Sequence, residues 1–179
     1  LLLNNLLFGA VFSVLGAQSG AFYQDIMAGR TPFAMLLLLG SFGLMITGVA
    51  VVTRLIHRRS FLGLIGPMEL ALSQFGAVLG VMVLLNAAIY ILPPWDMGAD
   101  YVPNMEFSKW VLLLPFSLIG VLIQVTAEEM VFRGYVQQQL AARFRSPLVW
   151  MVLPAALFAL GHYLPDQAGE NAFLIALWA

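Results

Sequence analysis

Five stretches of this chain, roughly 6–23, 32–56, 69–92, 109–144 and 147–163, run almost without charge. A membrane-crossing helix needs about 17–25 predominantly apolar residues, so runs of this length commit the chain to lipid. A sixth run starts near Asn171 and stops at Ala179, too early to cross. The predicted fold is all-α: a polytopic transmembrane helix bundle with at least five complete spans and the start of a sixth. Residues 1–179 read as a single transmembrane domain, truncated at both ends, because Leu1 already lies within an apolar run. The first stretch shows no basic flank of a secretory signal, so it reads as a plain span.

Composition points the same way. Hydrophobic residues make up 61% of the chain and charged residues 9%, with a mean hydropathy of +0.92. Soluble domains carry about 25% charged residues, and so few charges cannot clothe a water-facing surface. A net charge of −1 gives no reason to expect nucleic acid as a partner. Cysteine is absent, which excludes disulfides and thiolate-bound metals.

The connecting segments suggest an orientation. Arg54, His57, Arg58 and Arg59 follow the second stretch, and Arg143 and Arg145 follow the fourth. Asp96, Asp100 and Glu106 sit between the third and fourth. The positive-inside rule puts both basic clusters on the cytoplasmic side and the acidic loop opposite. Two crossings separate the basic clusters, so the parity agrees.

Small and polar residues within the spans have plain structural readings. Gly16–Gly20 and Gly76–Gly80 have the spacing that lets membrane helices pack closely. Gln74, Asn86 and Gln124 are expected to hydrogen-bond across helices, and His57 to be a solvated loop residue. Pro67 and Glu69 suit the start of the third helix.

One segment does not suit lipid: Thr126-Ala127-Glu128-Glu129-Met130-Val131-Phe132-Arg133-Gly134-Tyr135. A charge at mid-membrane costs about 2.5–3.5 kcal/mol on insertion scales, so two adjacent carboxylates need partners, water or protons. Glu129 and Arg133 are four apart and can pair on one helix face. Glu128 lacks that partner, and its same-face neighbours are Phe132 and Tyr135. A carboxyl left without a counter-ion among apolar side chains is suited to general acid–base work. Glu128 is thus the candidate for chemistry and Glu129 for support. Thr126-x-x-Glu129 also matches a capping box. The 109–144 stretch would be about 53 Å long as a straight helix, against a core of about 30 Å, so a kink near residue 126 is expected.

His162 is the second outlier, four residues after Phe158 and on the same face. The turn between the fourth and fifth helices centres near residue 145. Glu128 and His162 are equally far from it, so antiparallel helices would bring them to one depth. Plainer readings exist: a structural Glu129–Arg133 pair, a capping Glu128, an interfacial His162.

At Glu128-Glu129-x-x-x-Arg133, extended as Glu-Glu-Met-Val-Phe-Arg-Gly, and Phe158-x-x-x-His162, the sequence resembles the CPBP family of CAAX proteases and bacteriocin-processing enzymes, also called Abi proteins. The resemblance covers roughly 110–165, and the family-like core is expected over about 110–179. It implies a multi-helix intramembrane endopeptidase whose prototype removes the C-terminal tripeptide of prenylated CAAX proteins. It also implies that Glu128 activates water, Glu129 and Arg133 support it, and His162 binds water or stabilises the oxyanion. The family's third motif, another His with Asn or Asp, is expected beyond Ala179.

The expected function is hydrolysis of a peptide bond in a membrane-associated protein or peptide by glutamate-activated water. No HExxH and no three-ligand set is visible, so no cofactor is favoured. A divalent metal such as zinc could still take Glu128 and His162 as two ligands of a site completed downstream. No Ser/His/Asp or Cys/His pairing suggests a covalent nucleophile. One alternative is a non-catalytic CPBP-like scaffold, immunity protein or accessory subunit of a larger membrane complex. Another is a proton relay, which would call for internal repeats and charge on several helices. The expected partners are the bilayer and a peptide or membrane-protein substrate. Family and arginine-over-lysine usage, with Lys109 the single lysine, point to a bacterial inner membrane.

Overall fold

Thr31 and Pro32 show how locally the helices are set. The Thr31 Oγ1 accepts the Ala34 N–H at 3.1 Å, and Pro32 takes the first helical position, where its missing N–H costs nothing. In the computed structural model, which describes residues 19–93, 103–165 and 169–178 with residues 6, 9, 10, 13 and 14, every regular element is helical. They are α1 (Ser19–Ala28), α2 (Pro32–Leu55), a 3₁₀ turn at Phe61–Leu64, α3 (Met68–Ile91), α4 (Phe107–Ala141), α5 (Leu148–Gly161) and α6 (Ala172–Trp178). Part of the first expected stretch, including Gly16, lies outside the described residues, as do Asp96 and Asp100.

Among the described residues, α2, α3 and α4 are long and apolar enough to cross a membrane. Together with the shorter apolar helices they form the all-α bundle expected of the sequence. Helix α5 has five π-helical and nine α-helical residues, a rise of about 20 Å. It is too short to traverse a core of about 30 Å.

The hydroxyls within α2 are satisfied inside the helix, as lipid demands. Ser41 donates to the Leu38 carbonyl, Thr47 to Gly43 and Thr53 to Val49, at 2.7, 2.9 and 2.7 Å. Between α1 and α2 the chain turns at Gly29, at φ 58°. A side chain there would be strained in backbone and would collide with Met35.

Helices α2 and α4 pack closely and run parallel. A Cβ on Gly120 would lie 3.0 Å from Leu39 Cδ1, so any side chain there would have to displace Leu39 by a few tenths of an ångström. Further along, Gly43 faces Ile123, and beyond it His57 meets Tyr135. Contacts that advance together along both helices bring the ends that carry Arg54–Arg59 and Arg143–Arg145 to one side of the bundle, as the parity argument requires.

Helix α4 holds no break at residue 126. The Met130 N–H bonds to the carbonyls of Thr126 and Ala127, and Glu129 sits at φ −60°, ψ −41°. A cap needs an extended residue at the helix start, and Thr126 already has nineteen helical residues before it. The expected kink is replaced by a change of hydrogen-bond pattern. From Met130 to Gln137 the helix is π-wound, and α-winding resumes at Gln138. Such widened turns are frequent at functional positions.

Candidate functional site

The π-wound segment lies at the centre of the packing. The Phe61–Leu64 turn presses on it at Gly134, which is buried, and where a Cβ would meet Leu64 Cβ and carbonyl oxygen at 3.4 Å. Gln138 donates to the same Leu64 carbonyl at 3.4 Å. A methyl group at residue 134 would fit in van der Waals contact with Leu64, and a larger side chain would press on it.

Glu129 and Arg133 form the ion pair expected from their spacing. Both side chains are about half exposed, and Arg133 lines a cleft of ≈ 320 Å³ between α4, α5 and α6. Phe132, Ala155, Phe158 and Leu177 make that cleft mainly apolar.

Glu128 has no cationic partner among the described residues, as expected. It is half-buried and accepts a hydrogen bond from Gln124 Nε2 at 3.3 Å. Gln124 thus serves its own helix, four residues on, rather than bonding across helices as its position suggested. The carboxylate keeps most of its acceptor capacity free, since an ionised carboxyl offers about four lone-pair sites.

Phe132 and Phe158 bring α4 and α5 together, edge to face, with centroids 5.1 Å apart. This pair is symmetric about residue 145, as is the pair Glu128 and His162. In antiparallel helices, one turn back from Phe132 leads to Glu128, and one turn on from Phe158 leads to His162. Both functional candidates thus lie a turn beyond the aromatic contact, in the same direction. No hydrogen bond joins Glu128 to His162 among the described residues.

His162 ends α5. Its Nδ1 lies 2.9 Å from the Phe158 carbonyl oxygen, and its ring lies 4.4 Å from the Phe158 ring. A carbonyl only accepts, so Nδ1 carries the proton and donates. This bond satisfies one of the unpaired carbonyls at a helix C-terminus. It leaves Nε2 without a protein partner among the described residues, the usual arrangement of a histidine oriented by its other nitrogen.

His57 departs from its expected role as a solvated loop residue. It is half-buried, its Nε2 lies 2.8 Å from the Tyr135 hydroxyl, and the two rings are 5.5 Å apart. An unbroken α-helix would return Tyr135 to the face of Glu128. The i→i+5 turns after Met130 carry it round to α2 instead. Sequence periodicity gives no sign of this, because the π-winding arises from packing.

Residues 110–179 match the family described as Rce1-like, type II CAAX prenyl endopeptidase Rce1-like. The resemblance carried by Glu128-Glu129-x-x-x-Arg133 and Phe158-x-x-x-His162 is borne out over that region, and the chain there is like a CAAX-protease family of integral membrane proteins. The uncharacterized protein YyaK of Bacillus subtilis (strain 168) is 29% identical over 141 residues, covering 75% of this chain and 44% of that protein. The chain therefore spans less than half the length of the curated relative it matches. No solved structure matches the chain.

Proposed function

We propose that this chain forms part of an intramembrane peptidase in which Glu128 activates water against a peptide bond of a membrane-associated substrate. The observation that supports the reading is the Phe132–Phe158 contact between the two helices, since on antiparallel helices Glu128 and His162 each follow one turn further on. The match of 110–179 to the Rce1-like family supports the reaction class.

In this mechanism the Glu128 carboxylate takes a proton from a water held between the helices. The hydroxide attacks the scissile carbonyl carbon, and its oxygen becomes an oxyanion. Collapse breaks the C–N bond, and Glu128 returns the proton to the leaving amine, giving a carboxylate and an amine. His162, with Nδ1 committed to the Phe158 carbonyl, accepts a hydrogen bond from the same water through Nε2 and orients it. A neutral imidazole of that tautomer has no donor for the oxyanion, so water binding is the role we assign to His162. Oxyanion donors come from residues outside those described, as the family's third motif implies.

Glu129 keeps Arg133 from neutralising Glu128, because the guanidinium is already paired. The apolar cleft beside Phe132 and Phe158 suits an apolar substrate side chain. Glu128 and His162 also offer two of the three protein ligands that a catalytic zinc takes, and among the described residues no third His, Cys, Asp or Glu joins them. The related protein of a Bacillus and the apolar helices support a bacterial plasma membrane as the location.

The test uses the full-length protein in membranes with a peptide substrate of apolar sequence. General acid–base groups contribute about 10²–10⁴-fold, so Glu128→Gln should lower cleavage by at least about 100-fold at equal abundance. Undiminished cleavage contradicts the proposal.

A further inference from the structure

A second cleft lies at the other end of the bundle, where α2 and α4 begin. It has a volume of ≈ 420 Å³, and its lining combines Arg30, Lys109, Asn104 and Ser117 with Met35, Leu36, Leu113 and Leu114. Lys109 stands about 28 Å from Glu128 along α4 at 1.5 Å per residue, so this cleft is separate from the candidate peptidase site.

The two cations differ. Arg30 faces Asp25 at 3.4 Å, the arginine side chain largely exposed and the aspartate half-buried. Lys109 has no ion-pair partner among the described residues, and the nearby Glu106 carboxylate accepts instead from Ser108 at 2.8 Å. Neither acid lines the cleft. Trp110, also in the wall and stacked on Phe107, is the residue type that membrane interfaces favour. A cleft that sets a cation with no ion-pair partner among the described residues beside apolar side chains matches an amphiphile with an anionic head.

We propose that the cleft between the amino ends of α2 and α4 binds an anionic phospholipid, its phosphate on Lys109 and Arg30 and an acyl chain along Leu36 and Leu113. An exposed cation paired with an anion contributes about 0.2–1 kcal/mol, which is up to about fivefold in affinity.

The experiment measures lipid retention by native mass spectrometry on the full-length protein, delipidated in detergent and supplied with phosphatidylglycerol or phosphatidylcholine. Phosphatidylglycerol should be retained better, by up to about fivefold. Lys109→Gln should remove that preference. Leu113→Trp, which fills the cleft without changing charge, should lower retention of both lipids. The pair Arg143→Gln and Arg145→Gln, at the opposite end, should leave the preference intact, and thermal unfolding in lipid-free detergent reports folding of each variant. Equal retention of the two lipids overturns the proposal. So does displacement by glycerol phosphate, which would mark a site for small anions only, or loss of the preference in the Arg143 and Arg145 variant alone.

Discussion

Helices α3 and α4 have nearly the same hydropathy, 1.9 and 2.1, and opposite surroundings. No residue of α3 is buried, and a Cβ on Gly76 or Gly80 would meet nothing. In α4, Gly120, Ala127, Met130 and Gly134 are buried against α2 and the Phe61–Leu64 turn. Hydropathy thus selects helices for lipid and says nothing of which of them pack together. The Gly76–Gly80 spacing was expected to be a packing surface and has no partner among the described residues. Gly120, with no such spacing, makes the close contact. Polar residues do not divide in this way. Asn86 in α3 donates back to the Met82 carbonyl at 2.8 Å and Gln124 in α4 donates to Glu128, both within their own helix rather than across helices.

The contrast can be broken by substitution. The largest difference should appear in cleavage: Glu128→Gln loses at least about 100-fold, while Gln74→Ala in α3 leaves the rate unchanged in the same membrane assay. Stability comes next. Gly120→Leu overpacks the Leu39 contact and should cost about 1–3 kcal/mol, read as a lowered unfolding midpoint, while Gly76→Leu should be neutral. Similar losses at both positions would show that α3 is packed as tightly as α4. Tyr135→Phe removes the bond to His57 and should cost about 0.5–1.5 kcal/mol. It keeps the ring contact, so His57→Ala should cost more. The smallest effect is expected at Arg133→Gln, about 0.3–0.5 kcal/mol for a helical ion pair open to water. A loss several times larger would place that pair in lipid.

Much of this was legible in the residues themselves. The second, third and fourth stretches became α2, α3 and α4, because long apolar runs bounded by Pro, Arg and Asp leave few alternatives. The Glu129–Arg133 pair followed from spacing alone, and the contact of the fourth and fifth helices at Phe132 and Phe158 agrees with a hairpin centred at 145. Three features escaped. The capping box at Thr126 was a local pattern overridden by helix on both sides. The π-winding of 130–137, and with it the turn of Tyr135 toward His57, is set by tertiary contacts. His57 looked solvated because its neighbours Arg58 and Arg59 are charged, although its ring packs on α4.

The central claim is that the acid at 128 and the imidazole at 162 address one small volume, and proximity tests it most directly. The chain has no cysteine, so paired replacements can be joined by a short thiol crosslinker in membranes. Cysteines at 132 and 158 should link, as should cysteines at 128 and 162, whereas 129 with 162 should not. Linking at 132 and 158 with none at 128 and 162, or linking as efficient from 129 as from 128, would contradict the shared site.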